Sequence, residues 1–207
     1  MKDIVGVTTN YFESIFTSGG CDQMEECVNT SPHKLNSNML DVLSSEYSAE
    51  EIKATLFQMG PIKAPGPNGM NALFYQKFWH IVGDDVNAAV LDFLSNGTML
   101  LDINYTYIVL IPKVKFLERM TDYKPINLCN VIYKIISKVL ANKLKLILPQ
   151  LISLTQSAFV RGCLITDNVL MAYETLHTKH SRRSSRWGSL ALKLDINKAY
   201  DWLNNLF

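Results

Sequence analysis

Ser189-Leu190-Ala191-Leu192-Lys193-Leu194-Asp195-Ile196-Asn197-Lys198-Ala199-Tyr200-Asp201 is the stretch on which the reading of this chain turns. Leu190, Leu192 and Leu194 recur at every second position, the signature of a half-buried strand. Asp195 falls where that strand leaves the core, with its carboxylate near solvent or a metal. Asp201 follows beyond a turn, with Tyr200 beside it. Taken alone, the stretch supports two readings. One is an ordinary strand running into a helix capped by Asp or Asn; the other is a strand-end carboxylate with chemistry to perform. The surrounding residues separate them.

The chain has 207 residues, room for one large domain or one and a half small ones. A hydrophobic content of 48% against 19% charged residues describes a globular protein and excludes a disordered one. The net charge of +1 hides an asymmetry. Residues 1–60 carry nine acids against three bases, and residues 61–207 carry seventeen bases against ten acids. That balance permits an anionic partner for the larger part without requiring one. Cys21, Cys27, Cys129 and Cys163 lack CxxC spacing and paired histidines, which argues against a zinc site or a disulfide framework. Met1-Lys2-Asp3 has neither a basic nor a long apolar leader region, and lysines interrupt every long apolar stretch. The expectation is an intracellular protein, cytoplasmic or nuclear, with no signal peptide and no membrane span.

Moving outward from the opening strand, Lys179, Arg182, Arg183 and Arg186 form a basic loop free of acids. Before it, Thr166 or Asp167 is placed to cap a helix over Asn168–His177. Further upstream, Asn130 is expected to cap a long helix from Val131 to about Leu148, ended by Pro149. Ile132, Ile135, Ile136, Val139, Leu140 and Leu144 supply its buried face, and Lys134, Lys138 and Lys145 fall largely elsewhere. Residues 112–149 hold eight bases and two acids, which suits either a nucleic-acid channel or a solvated helix face. Tyr105–Lys113 is rich in β-branched and aromatic residues and reads as a strand, with Tyr123–Cys129 as its hairpin partner. Such a hairpin brings Lys113, Lys115 and Lys124 close together, as a phosphate clamp or as solvated charge.

Residues 71–95 read as two helices, Phe74–Val82 and Asp85–Leu94, parted by Gly83, with Phe78, Trp79, Leu91 and Phe93 as core candidates. Two prolines and two glycines make Lys63-Ala64-Pro65-Gly66-Pro67-Asn68-Gly69-Met70 a rigid loop. No Gly-Lys-Ser/Thr follows, so it is not a Walker loop. It is a connector or, through Lys63, a contact for a phosphate backbone. Ser48-Ala49-Glu50-Glu51 is a capping box opening a helix with Ile52, Leu56 and Met59 on one face, stopped by Gly60-Pro61. Residues 1–47 read as a tether with one or two helical turns around Tyr11–Phe16, whose aromatic pair is read as local packing.

The order of these motifs resembles one family. Lys63-Ala64-Pro65-Gly66-Pro67, Leu110-Ile111-Pro112-Lys113 and Asp122-Tyr123-Lys124-Pro125-Ile126-Asn127-Leu128-Cys129 come first. Gln156-Ser157-Ala158-Phe159-Val160, Ile165-Thr166-Asp167-Asn168 and Leu194-Asp195 through Asp201 follow. Together they resemble the reverse transcriptase of non-LTR retrotransposons of the long interspersed element class, above all its plant members, over about residues 48–207. The resemblance implies an α+β, predominantly helical chain: the fingers and first palm strand of a right-hand polymerase. The activity implied is RNA-directed DNA polymerisation, with an RNA template, a DNA primer and deoxynucleoside triphosphates as partners and magnesium as cofactor. Asp195 matches the first catalytic aspartate and metal ligand, and the Ile196 carbonyl helps to coordinate. Tyr200 matches the residue under the nucleotide sugar. Lys113 and Lys124 match positions facing the template-primer or triphosphate, with Lys63 and Lys115 as further nucleic-acid contacts.

The departures from the family shape the expectation. Lys124 stands where Arg is usual, Arg161-Gly162-Cys163 where Pro-Gly-Arg is usual, and Asn68 where Asp is usual. Replacing Arg by Lys keeps the charge but loses planar bidentate recognition of a phosphate. After Asp201 the chain reads Trp202-Leu203-Asn204-Asn205-Leu206-Phe207, without the later aromatic-x-Asp-Asp motif. The expectation is an amino-terminal fragment, truncated before the rest of the palm and the thumb and inactive as a polymerase. A non-catalytic nucleic-acid-binding remnant and a degenerate product without function stand as its alternatives.

Overall fold

The computed structural model describes residues 2–17, 29, 34–152, 162, 164–181 and 192. Asp195, Ile196 and Tyr200 lie outside the described residues, as does the strand expected to lead into them except for Leu192, which is exposed and in no strand. The chain divides into two compact units, Leu35–Leu151 and Met1–Lys34 with Ile152–Phe207.

The unit Leu35–Leu151 is mostly helical. Its elements are α2 (Ser37–Ser44), α3 (Ala49–Phe57), α4 (Ala72–Lys77), α5 (Trp79–Asn96), α6 (Leu101–Asn104), β1 (Thr106–Pro112), β2 (Tyr123–Cys129) and α7 (Val131–Leu151). The core forms where α3, α5 and α7 meet. Ile52 and Leu56 project from α3, Val86 and Val90 from α5, and Val131, Ile135 and Val139 from α7. The spacing of the α7 residues, four apart, keeps them on one face of a 3.6-residue helix. Fully burying each such side chain contributes about 1.5–3 kcal/mol.

The helix boundaries follow local chemistry. Ser48 and Glu51 form the expected capping box, with Ser48 Oγ accepting from the Glu51 amide at 3.2 Å and Glu51 Oε2 from the Ser48 amide at 3.0 Å. At the other end of α3, Gln76 Nε2 donates to the carbonyls of Leu56 (2.9 Å) and Met59 (3.1 Å), satisfying acceptors that a helix end leaves open. Gly97, at φ +69°, closes α5 in the left-handed conformation, its amide donating to the Phe93 carbonyl.

Four expectations are corrected here. The break between the two helices lies at Phe78, not at Gly83, which is buried inside α5. A Cβ on Gly83 would stand 2.8 Å from Trp79 Cε2, so this glycine is a slot for the indole ring one turn earlier, not a helix breaker. Phe78 is 42% exposed and not core, whereas Trp79, Leu91 and Phe93 pack against the core from its edge. Pro149 lies inside the last turn of α7, which runs on to Leu151; so near the end it removes only one ladder bond. On α7, Leu140 and Leu144 are exposed, and Lys143 takes a place on the buried face instead.

β1 and β2 form an antiparallel two-stranded ribbon in which Thr106 pairs with Cys129, Val109 with Ile126 and Ile111 with Lys124. One face carries Tyr107, Val109 and Ile111, each more than 40% exposed.

In the other unit, α1 (Lys2–Phe16) is longer than the expected one or two turns, with the Tyr11 and Phe12 rings edge to face at 5.4 Å. The last helix, α8 (Ile165–Ser181), opens before Asn168. Asp167 sits in its first turn, and its carboxylate accepts from the Leu164 amide at 2.9 Å. Among the described residues no helix is long and apolar enough to cross a membrane.

Candidate nucleic-acid interface

The hairpin brings two of the expected lysines together. Ile111 lies opposite Lys124, and the Lys113 amide continues the ladder to the Asp122 carbonyl at 2.8 Å. Lys113 and Lys124 therefore share one face of the ribbon as diagonal neighbours, about 7–8 Å apart at their bases. Both are exposed, and the Lys113 ammonium leans on the Thr121 carbonyl at 3.0 Å. Lys115 is exposed in the tip that joins the strands, beyond the ladder.

Asp122 shapes that tip. Its carboxylate accepts from the amides of Arg119 (2.9 Å) and Glu118 (3.0 Å). These two bonds, the Arg119 bond foremost, hold its pKa below the ordinary carboxyl value, with the positive charges of Arg119 and Lys113 adding to the effect. The motif beginning at Asp122 thus folds the turn that presents Lys113 and Lys124, with the acid as scaffold.

The rigid loop after α3 meets the hairpin at its other end. A Cβ on Gly66 would stand 2.5 Å from the Asn130 nitrogen and the Cys129 carbonyl carbon, so only glycine lets the loop backbone lie on the β2–α7 junction. Gly69, at φ +72°, then turns the chain back, and its amide donates to the Gly66 carbonyl. Lys63 is exposed on this loop. Five residues of extended strand separate Lys124 from Cys129, roughly 17 Å at ~3.4 Å per residue. The loop and the tip are therefore at opposite ends of the ribbon, and Lys63 does not join Lys113 and Lys124.

Asn130 is the residue that sequence reasoning underrated. It is buried, and its own carbonyl accepts from the Lys134 amide, as an N-cap residue's does. Yet the side-chain bonds of Asn130 run away from the helix it opens. Its Nδ2 donates to the carbonyls of Asp102 and Ile103, each at 3.1 Å, and its Oδ1 accepts from the Asn68 amide at 3.3 Å. One side chain thus ties α6, the rigid loop and the head of α7 together. Asn68 extends the network, its Nδ2 donating to the Tyr75 hydroxyl at 3.3 Å and its Oδ1 accepting from the Met70 amide at 3.1 Å. Burial raises the Tyr75 pKa, against a smaller opposing effect of the Asn68 bond, so the phenol stays neutral.

The lysines of α7 divide sharply. The Lys134 ammonium donates to the Ala64 carbonyl at 2.9 Å, pinning the rigid loop. Lys143 is only 7% exposed; its ammonium donates to the Ser45 carbonyl and lies 3.6 Å from the centre of the Tyr47 ring. One of the eight bases in residues 112–149, Lys143, is thus inside the protein, and a second, Lys134, is tied to a loop carbonyl at the surface, which narrows the expected basic channel. The helical period accounts for Lys143: nine residues, two and a half turns, separate it from Lys134, on the opposite face.

Among the described residues no three His, Cys, Asp or Glu side chains come together as a metal site. The donors that the resemblance gives to magnesium, the Asp195 carboxylate and the Ile196 carbonyl, are hard oxygens of the type the ion takes, beside the waters and substrate phosphates that ordinarily complete its octahedron.

Residues 111–204 match the family model for reverse transcriptase (RNA-dependent DNA polymerase), from the end of β1 into the stretch that contains Asp195. Over 166 residues, 80% of its length, the chain is 31% identical to the Transposon TX1 uncharacterized 149 kDa protein of Xenopus laevis. It spans only 12% of that protein. The mostly helical unit with its two-stranded ribbon is consistent with part of such a domain, and over residues 111–204 the chain is similar to reverse transcriptases.

Proposed function

We propose that this chain is an amino-terminal portion of the reverse transcriptase domain of a plant-like non-LTR retrotransposon, comprising fingers, basic hairpin and the start of the palm. One observation carries the reading: Lys113 and Lys124 stand exposed on one face of a hairpin at the point where the reverse transcriptase match begins. In this role the hairpin meets the phosphates of an RNA template and DNA primer or of an incoming deoxynucleoside triphosphate. By the resemblance Tyr200 would lie under the sugar, and the Asp195 carboxylate and the Ile196 carbonyl would hold part of the magnesium sphere. Magnesium, when bound in such enzymes, neutralises triphosphate charge and activates the primer hydroxyl. These 207 residues hold one of the metal-binding aspartates and no aromatic-x-Asp-Asp motif, so in this reading they bind nucleic acid through the hairpin and do not polymerise by themselves.

The test is primer extension on an RNA template with magnesium and all four deoxynucleoside triphosphates, run beside a binding titration with the same template-primer. The expected result is no DNA synthesis together with binding that weakens steeply as salt rises. Synthesis that disappears in Asp195→Ala would overturn the inactivity. Loss of all salt-sensitive binding would overturn the interface.

A further inference from the structure

A cavity of about 260 Å³ opens between α2, α3 and α7, on elements that the nucleic-acid reading does not use. Its volume lies just below the ~300–1,000 Å³ typical of small-molecule sites, so any occupant is compact. Val42, Val139 and Leu146 supply apolar walls, and Lys143, Thr55 and Asn142 supply polar ones.

Lys143 is the unusual member. A charge this deeply buried is ordinarily paired with an opposite charge. Among the described residues no carboxylate lies within ion-pair distance of Lys143; its ammonium meets one carbonyl, that of Ser45, and the face of Tyr47. An ammonium carries three donors, so this environment leaves it electrostatically incomplete. Thr55 also lines the cavity, 3% exposed, its hydroxyl accepting from Asn142 Nδ2 at 3.3 Å, which leaves the hydroxyl able to donate. The second Asn142 bond, to Gln58 Oε1 at 3.2 Å, fixes that arrangement. The Glu51 carboxylate also lines the cavity, but one oxygen is held by the Ser48 amide in the capping box. The pocket therefore offers a buried cation and a hydroxyl donor beside an apolar wall.

We propose that this pocket binds a compact organic monocarboxylate, its carboxylate on Lys143 and Thr55 and its apolar body on Val42, Val139 and Leu146. The site is independent of the polymerase reading and fails or stands on its own.

The test is a thermal-shift and calorimetric titration of the full chain with isobutyrate, with isobutyramide and sodium chloride at equal concentration as controls. Isobutyrate is expected to give a saturable rise in melting temperature that neither control reproduces. Lys143→Met, which keeps the length of the side chain and its packing, should weaken isobutyrate about ten- to hundredfold, the range for a lost hydrogen bond to a charged group. Thr55→Val should weaken it less and serves as the readout if Lys143→Met does not fold. A shift matched by sodium chloride, no saturable response, or equal affinity in both variants would overturn the proposal.

Discussion

The tip of the hairpin and the head of α7 are both rich in lysine, yet they use it in opposite ways. At the tip, Lys113 and Lys124 project from an exposed ribbon, held by a turn that an acid organises. At α7, Lys134 is drawn onto the Ala64 carbonyl and Lys143 is inside the protein against Tyr47. Eight bases in thirty-eight residues look like one basic surface in the sequence. In three dimensions they are at least two populations, one facing solvent and one replacing hydrogen bonds that a loop and a helix end would otherwise lack. Composition counts charges; only packing says which of them a polyanion can reach.

The largest expected effect breaks the internal side of this contrast at Asn130. Asn130→Ala removes the partners of the Asn68 amide and of the Asp102 and Ile103 carbonyls together. These three bonds are part-buried, and at about 1 kcal/mol for each hydrogen bond lost the loss should be about 3 kcal/mol, read from the denaturant midpoint. Asn130→Asp keeps the acceptor for Asn68 but turns a negative oxygen toward two carbonyls, so it should be no better than alanine. A stability change below about 0.5 kcal/mol for alanine, the range of an ordinary surface change, would mean that Asn130 does not tie these segments together.

That hub shows where the sequence was legible and where it was not. The Ser48 capping box, the hairpin pairing and the α7 face through Ile135 and Val139 follow from rules that act within a few residues. Gly83 was misread because its role is to admit Trp79, a packing fact, although a glycine one turn after a tryptophan in a helix was there to be seen. Asn130 was read as a cap because its position is a cap position; its bonds reach back 27 and 62 residues, beyond any local rule. Lys143 was the avoidable miss. The same helical spacing that selects Ile135, Ile136 and Val139 places it among them. Of the chemistry, the lysine pair on the hairpin is a consequence of register, whereas Asp195, Ile196 and Tyr200 lie outside the described residues and rest on motif resemblance.

Smaller effects sharpen the division between the lysines. Lys134→Met should cost about 1 kcal/mol, the net worth of one hydrogen bond, because its ammonium anchors Ala64. It should leave unchanged the slope of the logarithm of nucleic-acid affinity against the logarithm of salt, since it contributes no phosphate contact. Lys113→Ala and Lys124→Ala should do the reverse. Each should leave stability within about 0.5 kcal/mol and reduce that slope by about 0.7 on a single strand or about 0.9 on a duplex. A shallower slope in Lys134→Met would mean that its ammonium leaves the Ala64 carbonyl for a phosphate.

The smallest expected effect is a pH response confined to the tip. The Asp122 carboxyl titrates below its ordinary range because the Arg119 and Glu118 amides donate to its ionised form. A depressed pKa in the folded state stabilises the turn above the ordinary carboxyl value, and that contribution is lost as pH falls through the depressed one. The Arg119 and Glu118 amide resonances should therefore move together in acid, with a midpoint below that of an unstructured aspartate. In Asp122→Asn that shared transition should vanish. The junction at Asn130 should stay silent over the same range, because its network is built from amides and carbonyls and a phenol that burial keeps neutral. If both ends of the ribbon responded at one midpoint, the tip would not be an independent turn held by Asp122. The hairpin would then be opening as a whole, and the separation between a titratable scaffold at the tip and an uncharged one at the base would collapse.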